Sequence, residues 1–287
     1  MDYLIKALVL NNEARVYLLT NKDTVNTAII KHDLWPGATS VLGKVLSLGE
    51  LMGSMLKGDE ALTIKIKGGG ALGNIIVDGN AKGEVRGYVD KPHVSIVNNK
   101  GGMNDYYAIG TSGMIDVIKD LKMKDLFTSS VENTGNIAND FTYYFFESEQ
   151  TRSVVSLAML IDVDNTCKLS GGMIIQLLPN ASENTISTIE EVIAKYPSFN
   201  DLLEHYTLED ILPLLFPNNY EILEKMSVGF KCSCSKESFK KALITLGKKE
   251  LEDIISEDHK IETVCHYCGE KYTFTEDDIK ELIKEMK

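Results

Sequence analysis

The sequence predicts an α+β protein built from three successive parts. Residues 1–178 mix strand patterns, glycine-rich turns and helical stretches, residues 179–231 are acidic and helical by pattern, and residues 232–287 contain four of the five cysteines. We therefore predict an N-terminal sheet-and-helix domain, a helical linker and a small C-terminal domain.

A meander of short strands is the clearest feature of the first part. Residues 62–67 alternate apolar and polar side chains, which is typical of a half-buried strand. Strand patterns resume over residues 74–77 and 83–89, with Asp78 and Gly79 as the turn signal between them. These segments predict consecutive antiparallel neighbours in one sheet.

Helical periodicity interrupts the strands in two places. Residues 41–56 form an apolar helical stretch, and the apolar residues of 114–121 fall on one face of a second helix. The aromatic run at residues 141–146 predicts a strand buried on both faces, and residues 154–162 predict another buried strand. Helices and strands are thus intermixed, as the α+β class requires.

The second part differs in charge and in helix-breaking residues. Residues 180–230 hold nine acidic residues against two lysines. Ser198 and Thr207 each precede an aspartate by three residues, the spacing of a capping box. Short helices of this kind need tertiary packing to persist. Three prolines would interrupt any continuous helix here, namely Pro197, Pro213 and Pro217.

The cysteines of the third part form two short pairs, Cys232 with Cys234 and Cys265 with Cys268. Two such pairs about 30 residues apart can converge on one tetrahedral zinc ion. Gly269 suits a tight turn after Cys268, and alternate residues of an extended segment place Cys232 and Cys234 on one side. We therefore predict a single zinc ion on these four thiolates, which makes the third part a small C-terminal zinc-binding domain.

The spacing leaves the role of this zinc site open. It fits a constitutive zinc ribbon that recognises a fixed partner. It also fits a switch, because structural zinc supplies on the order of 10 to 16 kcal/mol in small metallo-domains and each cysteine pair can be oxidised to a local disulfide. A thioredoxin-like enzyme fits poorly, since residues 271–274 resemble a strand where that motif needs a helix.

His266 and Cys167 are two further residues of types that can bind metal ions. His266 lies between Cys265 and Cys268, but four sulfurs already complete the zinc coordination, so we expect it not to be a ligand. Cys167 lies in an apolar segment, and we expect a buried small side chain rather than a reactive thiol.

Several function classes are disfavoured by the rest of the sequence. Gly68, Gly70 and Gly73 satisfy G-x-G-x-x-G, but a strand pattern follows where a dinucleotide site needs a helix. A net charge of −12 argues against nucleic acid and an acidic membrane surface as partners. We find no secretory signal, no apolar run long enough to span a bilayer and no local catalytic motif. We expect a cytoplasmic protein that is not an enzyme.

Along nearly its whole length the chain resembles a known family, the redox-regulated chaperones called heat-shock protein 33. The resemblance is carried by six segments: LTIKIKGGG at residues 62–70, GYV at 87–89, DFTYYF with SEQ at 140–150, GGMIIQLLP at 171–179, FKCSCS at 230–235 and CHYC at 265–268.

The resemblance implies an ATP-independent holdase that is inactive when reduced and zinc-bound. Oxidation would join Cys232 with Cys234 and Cys265 with Cys268, zinc would leave, and the C-terminal domain and linker would unfold. The linker would then uncover apolar surface on the N-terminal domain. The oxidised form would dimerise, bind unfolding proteins and pass them to ATP-dependent chaperones.

Overall fold

The computed structural model describes residues 1–94, 104–257 and 259–286. They divide into two compact units, Met1–Lys231 and Cys232–Lys287. Across these ranges no helix combines the length and apolar character that a bilayer crossing needs. The mixture of helices and sheets confirms the predicted α+β class.

The strands of the first unit form two sheets within the described residues. One is antiparallel throughout, with the spatial order β10 (Tyr220–Ser227), β1 (Tyr3–Val9), β2 (Ala14–Thr20), β9 (Cys167–Leu177) and β8 (Ser153–Ile161). The other has the order β11 (Gly229–Phe230), β5 (Glu84–Val89), β4 (Asn74–Asn80), β3 (Ala61–Lys67), β6 (Met114–Asp120) and β7 (Phe127–Glu132). Only its β11–β5 pair is parallel.

The described residues of this unit form seven helices. They are α1 (Lys22–His32), α2 (Pro36–Gly53), α3 (Asp105–Ile109), α4 (Ile137–Glu147), α5 (Glu183–Lys195), α6 (Phe199–His205) and α7 (Leu208–Leu215). Pro36 occupies the first turn of α2, where a missing N–H costs nothing. Almost every residue of α2 is buried, which explains why its sequence is apolar on all faces.

Helix α2 is the centre of the main core. It contacts β4 and β5 of the six-stranded sheet and β8 and β9 of the five-stranded sheet. A Cβ atom on Gly79 would lie 2.2 Å from the carbonyl oxygen of Gly49, so the helix and β4 approach each other backbone to backbone. The predicted turn at Asp78 and Gly79 is therefore wrong: both residues lie within β4, and Gly79 serves close packing.

The predicted helix at residues 114–121 is a strand, β6, paired with β3 and β7. Ile115 and Val117 are fully buried at a period of two, while Met114 is exposed. An apolar segment this short fits both the helical spacing and the alternation of a strand. Hydrogen bonding to two neighbouring strands makes it a strand.

The predicted strand at residues 141–146 is part of helix α4. The Asn136 side chain accepts a hydrogen bond from the backbone N–H of Asn139 at 3.2 Å and so caps the helix. Phe141 and Tyr144 are buried, whereas Tyr143 and Phe146 are half exposed. The aromatic run thus has one buried face at helical spacing, and the cap overrides its strand propensity.

Residues 179–231 are only partly helical. After α5, α6 and α7 the chain forms β10 and β11, which the sequence prediction missed. Pro197 and Pro217 lie outside the helices as predicted, but Pro213 lies inside α7. Leu212 and Leu215 bury against the sheet on either side of Pro213, and this packing offsets the hydrogen bond that a proline cannot donate.

A second core lies between these helices and the five-stranded sheet. Ile5, Ala7 and Val9 of β1 pack there with apolar residues of β2 and β9. From the other side the helices contribute Ile189, Phe199, Leu202, Leu208, Ile211, Leu212, Leu215 and the adjoining Phe216. Each of these eight side chains is at most 5% exposed, so the sheet face is fully covered.

A buried carboxyl group on α2 contacts the start of α1. Glu50 has no exposed surface and accepts hydrogen bonds from Asn21 Nδ2 at 2.7 Å and Thr24 Oγ1 at 3.1 Å. Asp2 lies nearby and accepts a hydrogen bond from the Thr24 backbone N–H at 2.6 Å. Burial raises the pKa of Glu50 well above 4.5, so the neutral form is favoured in the folded protein.

We expect the Glu50→Gln substitution to stabilise the first unit at alkaline pH. The unfolded chain loses the Glu50 proton near pH 4.5, whereas the folded chain retains it because its pKa is raised. The free energy of unfolding therefore falls as pH rises from there towards the folded pKa. Glutamine cannot ionise; its amide oxygen can accept from Asn21, and its amide nitrogen can donate to the Thr24 hydroxyl, which both donates and accepts. Urea midpoints of the two proteins, followed by the fluorescence of Trp35, should differ more at pH 8 than at pH 5.

An equal pH dependence in both proteins would contradict this account of Glu50. Asp2 is present in both, and its own burial raises its pKa in each case, so its effect cancels in the comparison.

The second unit combines a hairpin with three helices in its described residues. They are α8 (Lys236–Ile244), α9 (Lys248–Glu257), β12 (Lys260–Val264), β13 (Lys271–Thr275) and α10 (Glu276–Glu285). Thr275 and Asp278 form a capping box at the start of α10. The buried apolar core consists of Leu243, Leu251, Phe274, Ile279 and Leu282, apart from two buried cysteines. So small a core gives little independent stability.

Candidate metal centre

Cys232 and Cys234 lie on an extended segment that runs into α8. The Ser235 side chain accepts a hydrogen bond from the Ser238 backbone N–H at 3.2 Å, which caps the helix immediately after Cys234. Both cysteines are half-buried. The alternation of an extended backbone brings the two side chains to one side, as the sequence predicted.

Cys265 and Cys268 lie in the turn between β12 and β13. The Cys265 backbone N–H donates to the Glu270 carbonyl oxygen at 2.9 Å, and Gly269 N–H donates to the Cys265 carbonyl oxygen at 2.8 Å. Gly269 has φ = +71°, a conformation that glycine adopts without strain. The turn aims both thiols inward, where Cys265 and Cys268 are 5% and 7% exposed.

The four sulfur atoms form one compact group. All lie within 4.8 Å of one another. Cys232 Sγ is 3.7 Å from Cys265 Sγ, and Cys234 Sγ is 3.4 Å from Cys268 Sγ. Four thiolates at about 2.3 Å from a tetrahedral zinc ion would be about 3.8 Å apart. The donor atoms therefore fit a metal ion of this size and preference.

A tyrosine that the sequence analysis missed touches this group. The Tyr272 hydroxyl is 3.2 Å from Cys234 Sγ and donates to the Cys234 carbonyl oxygen at 3.2 Å. The Phe239 ring packs against Tyr272 with ring centroids 5.2 Å apart. Hydrogen bonds of this kind orient the sulfur ligands of metal sites. Nothing in the spacing of Tyr272 signals its role, because it is defined only by the hairpin register.

Burial affects the two turn cysteines in the same direction. It raises the pKa of the Cys265 thiol, and it raises the pKa of the Cys268 thiol to about 12. A divalent cation reverses this preference, since it binds the thiolate form. The site therefore couples metal binding to loss of protons from the sulfurs.

Cys167 and His266 both lie outside the group of four sulfurs. Cys167, on β9 of the first unit, is buried, and this burial raises its pKa to about 12, which disfavours the reactive thiolate. His266 is exposed in the turn and does not belong to the group of candidate ligands. The glycines at residues 68–73 form a loop between β3 and β4, not the start of a helix, which rules out the dinucleotide motif.

Comparisons with known proteins agree with these features. The family model described as "Hsp33 protein" matches residues 2–275. A 33 kDa chaperonin of Bacillus velezensis is 46% identical over 285 residues, covering 98% of each chain. The 33 kDa chaperonin of Bacillus subtilis is 44% identical over 285 residues, again 98% of each chain.

A solved structure extends the agreement to the fold. The crystal structure of the 33 kDa chaperonin (heat shock protein 33 homolog) from Thermotoga maritima matches with a TM-score of 0.91 at 32% identity. The match covers 99% of this chain and 98% of that one. Sequence and fold agree over the full length, and the chain therefore belongs to the Hsp33 family, the family of the 33 kDa chaperonins.

Proposed function

We propose that this protein is a redox-regulated, ATP-independent holdase. Residues 1–178 bind clients and form the dimer, residues 179–231 are a metastable linker, and residues 232–287 are the redox switch. The reduced, zinc-bound form is inactive. Oxidation of the four cysteines unfolds the switch and the linker, and the exposed surface then binds unfolding proteins and prevents their aggregation.

The second core carries this proposal. Helices α5, α6 and α7 cover a continuous apolar face of the five-stranded sheet. Burial of apolar surface contributes about 25 cal/mol per Å². The same surface, once uncovered, would bind apolar segments of other proteins without selecting their sequence.

The linker is suited to leave this surface. Its helices have 13, 7 and 8 residues, lengths that are unstable in isolation. Its nine acidic residues against three lysines favour a solvated, unfolded state. Its last residue, Lys231, precedes Cys232 directly, so the linker loses a folded anchor when the switch unfolds.

Zinc, when bound, holds Cys232, Cys234, Cys265 and Cys268 as thiolates and joins two segments about 30 residues apart. Under peroxide, a thiolate sulfur attacks an oxygen atom, the O–O bond breaks, and a sulfenic acid forms with release of hydroxide. The neighbouring thiolate then attacks this sulfur, an S–S bond forms, and hydroxide leaves. Formation of each disulfide thus transfers two electrons from two thiolates to one peroxide molecule and would remove two zinc ligands.

We propose the pairing of Cys232 with Cys234 and of Cys265 with Cys268. In the folded unit, sulfur contacts of 3.7 Å and 3.4 Å also join one cysteine of each pair with one of the other. Once the unit opens, however, closure entropy favours partners two or three residues apart over partners 33 residues apart. Such local disulfides constrain the chain very little, so they do not replace the long-range link that zinc made.

The proposed partners are those of the oxidised protein. The oxidised protein forms homodimers in the cytoplasm, holds unfolding clients and passes them to ATP-dependent chaperones. Binding and release suffice for this activity, so the protein acts as a binding protein and not as an enzyme. A constitutive zinc ribbon that recognises one fixed partner is the second candidate, because four sulfur ligands can also form a permanently closed site.

One experiment separates the two candidates. Zinc release and the aggregation of a heat-unfolded client protein are measured before and after peroxide treatment with mild warming. The switch requires zinc release and aggregation suppression to rise together and to reverse with a thiol reductant plus zinc. Mass mapping identifies the disulfides. Retention of zinc, or equal suppression by both forms, would support the constitutive ribbon.

A further inference from the structure

The last residues of the linker close the edges of both sheets. Strand β10 pairs with β1 over seven residue pairs at one edge of the five-stranded sheet. Strand β11 then pairs with β5 at an edge of the six-stranded sheet, where Lys231 N–H donates to the Val85 carbonyl oxygen at 2.8 Å. Release of residues 220–230 would therefore leave β1 and β5 with unpaired backbone groups.

Strand β10 is held mainly through its backbone. Seven of its eight residues are exposed, so side-chain burial contributes little to the pairing. Its side chains add the half-buried Met226, which packs on the main core, and ionic contacts: Lys6 Nζ lies 2.7 Å from Glu224 Oε2, and Lys225 pairs with Glu209 of α7 and lies over the Tyr3 ring. Exposed ion pairs contribute about 1 kcal/mol or less each. Strand β10 is thus weakly attached to the sheet, and it directly follows in the chain the helices that the proposed switch releases.

Strand β1 has the opposite character. Leu4, Ile5, Ala7 and Val9 are at most 1% exposed. Leu4 belongs to the main core and β1 pairs with β2 along its length, so the strand stays in place when the linker leaves. It lacks proline, and Lys6 is its only charged residue. Natural sheet edges are protected by prolines, charges, bulges or covering segments, and here the covering segment is β10.

We propose that the β1 edge, once β10 has left, binds an extended segment of an unfolding protein as an added antiparallel strand. This inference rests on the proposed function and specifies its client surface. Backbone hydrogen bonds would supply affinity for any extended sequence. Ile5, Ala7 and Val9 share the face that the linker helices cover, so alternate side chains of the added strand would continue that apolar surface.

The experiment opens the edge without oxidation. In the double variant Glu221→Pro/Ile222→Pro, two successive prolines remove at least one N–H donor to β1, because successive N–H groups of a strand alternate in direction. The matched control, Glu221→Ala/Ile222→Ala, removes the same side chains and keeps both donors. The full-length reduced proteins are compared, with circular dichroism and Trp35 fluorescence as checks on folding.

The probe is a fluorescent peptide of residues 220–227, YEILEKMS. The attached β10 competes at an effective concentration of about millimolar, so opening the edge should tighten probe binding by at least about tenfold in the proline variant only. Probe binding should restore slow amide hydrogen exchange to β1. The register shift between Lys6 and Ala7 places Glu221, Glu224 and Met226 opposite Leu8, Lys6 and Leu4. A probe N-methylated at these three residues should not bind, whereas one methylated at Tyr220, Ile222 and Lys225 should, a signature that side-chain contacts alone do not produce.

Each outcome bears on one of the two claims. Equal binding by the proline and alanine variants, equal binding of both methylated probes, or dimerisation in place of probe binding would overturn the strand-docking proposal. If that happens while the oxidised parent still prevents client aggregation, the proposed function stands alone. If the probe binds β1 but the oxidised parent does not hold clients, strand docking stands and the proposed switch fails.

Discussion

Replacing Cys268 with serine should unfold residues 232–287, release the linker at residues 179–231 and leave residues 1–178 folded. The described residues of the second unit include five buried apolar side chains besides its cysteines, whereas structural zinc contributes on the order of 10 to 16 kcal/mol in small metallo-domains. Loss of one thiolate breaks the tetrahedral set, and the buried core alone cannot compensate. Zinc content should fall from one ion per chain to nearly none, and amide protection should disappear from α8 to α10.

The control is His266→Ala, a change in the same turn that spares all four sulfurs. It should keep its zinc and its amide protection. Trp35 fluorescence should show that residues 1–178 stay folded in both variants, because the main core lies outside the linker. A Cys268→Ser protein that binds zinc normally and protects α10 would show that the four sulfurs are not the stabilising site.

Replacing Leu212 with glutamate should activate the reduced, zinc-bound protein. Leu212 is fully buried between α7 and the five-stranded sheet. Removing a buried leucine side chain costs about 2 to 5 kcal/mol, and an unpaired buried carboxylate adds a further cost. The linker can avoid both costs by detaching. We expect rapid amide exchange in α5 to α7 and suppression of client aggregation without peroxide.

The matched control is Leu126→Glu, the same chemical change at a side chain that is 62% exposed. It should stay inactive until oxidised. Zinc content must remain at one ion per chain in both variants, so that activity cannot be ascribed to metal loss. A Leu212→Glu protein with a detached linker and no activity would mean that the covered sheet face is not the client surface.

The metal centre was the part of the molecule most accessible to sequence reasoning. Two cysteine pairs, a following glycine and flanking strand patterns are all local features, and the structure brings the four sulfurs within 4.8 Å of one another. Tyr272 escaped notice because its contact with Cys234 joins residues 38 positions apart. Only the hairpin register and the packing of α8 bring that hydroxyl to the sulfur.

Two of the wrong predictions share one cause. Residues 114–121 and 141–146 are short apolar segments in which both the helical and the strand period can be found. Pairing with β3 and β7 made the first a strand, and a cap at Asn136 together with burial of Phe141 made the second a helix. Strand β10 was missed for a related reason, since its side chains are almost all exposed and its partner β1 lies more than 200 residues away.

The sequence by itself determined the α+β class, the four-sulfur group and the acidic, proline-bearing character of residues 179–231, because each depends on residue types at short spacing. The tertiary structure decided what those residues cover. Helices α5 to α7 close an apolar sheet face, and β10 and β11 close two sheet edges. Such contacts are set by burial and backbone pairing between distant segments, which no local pattern records.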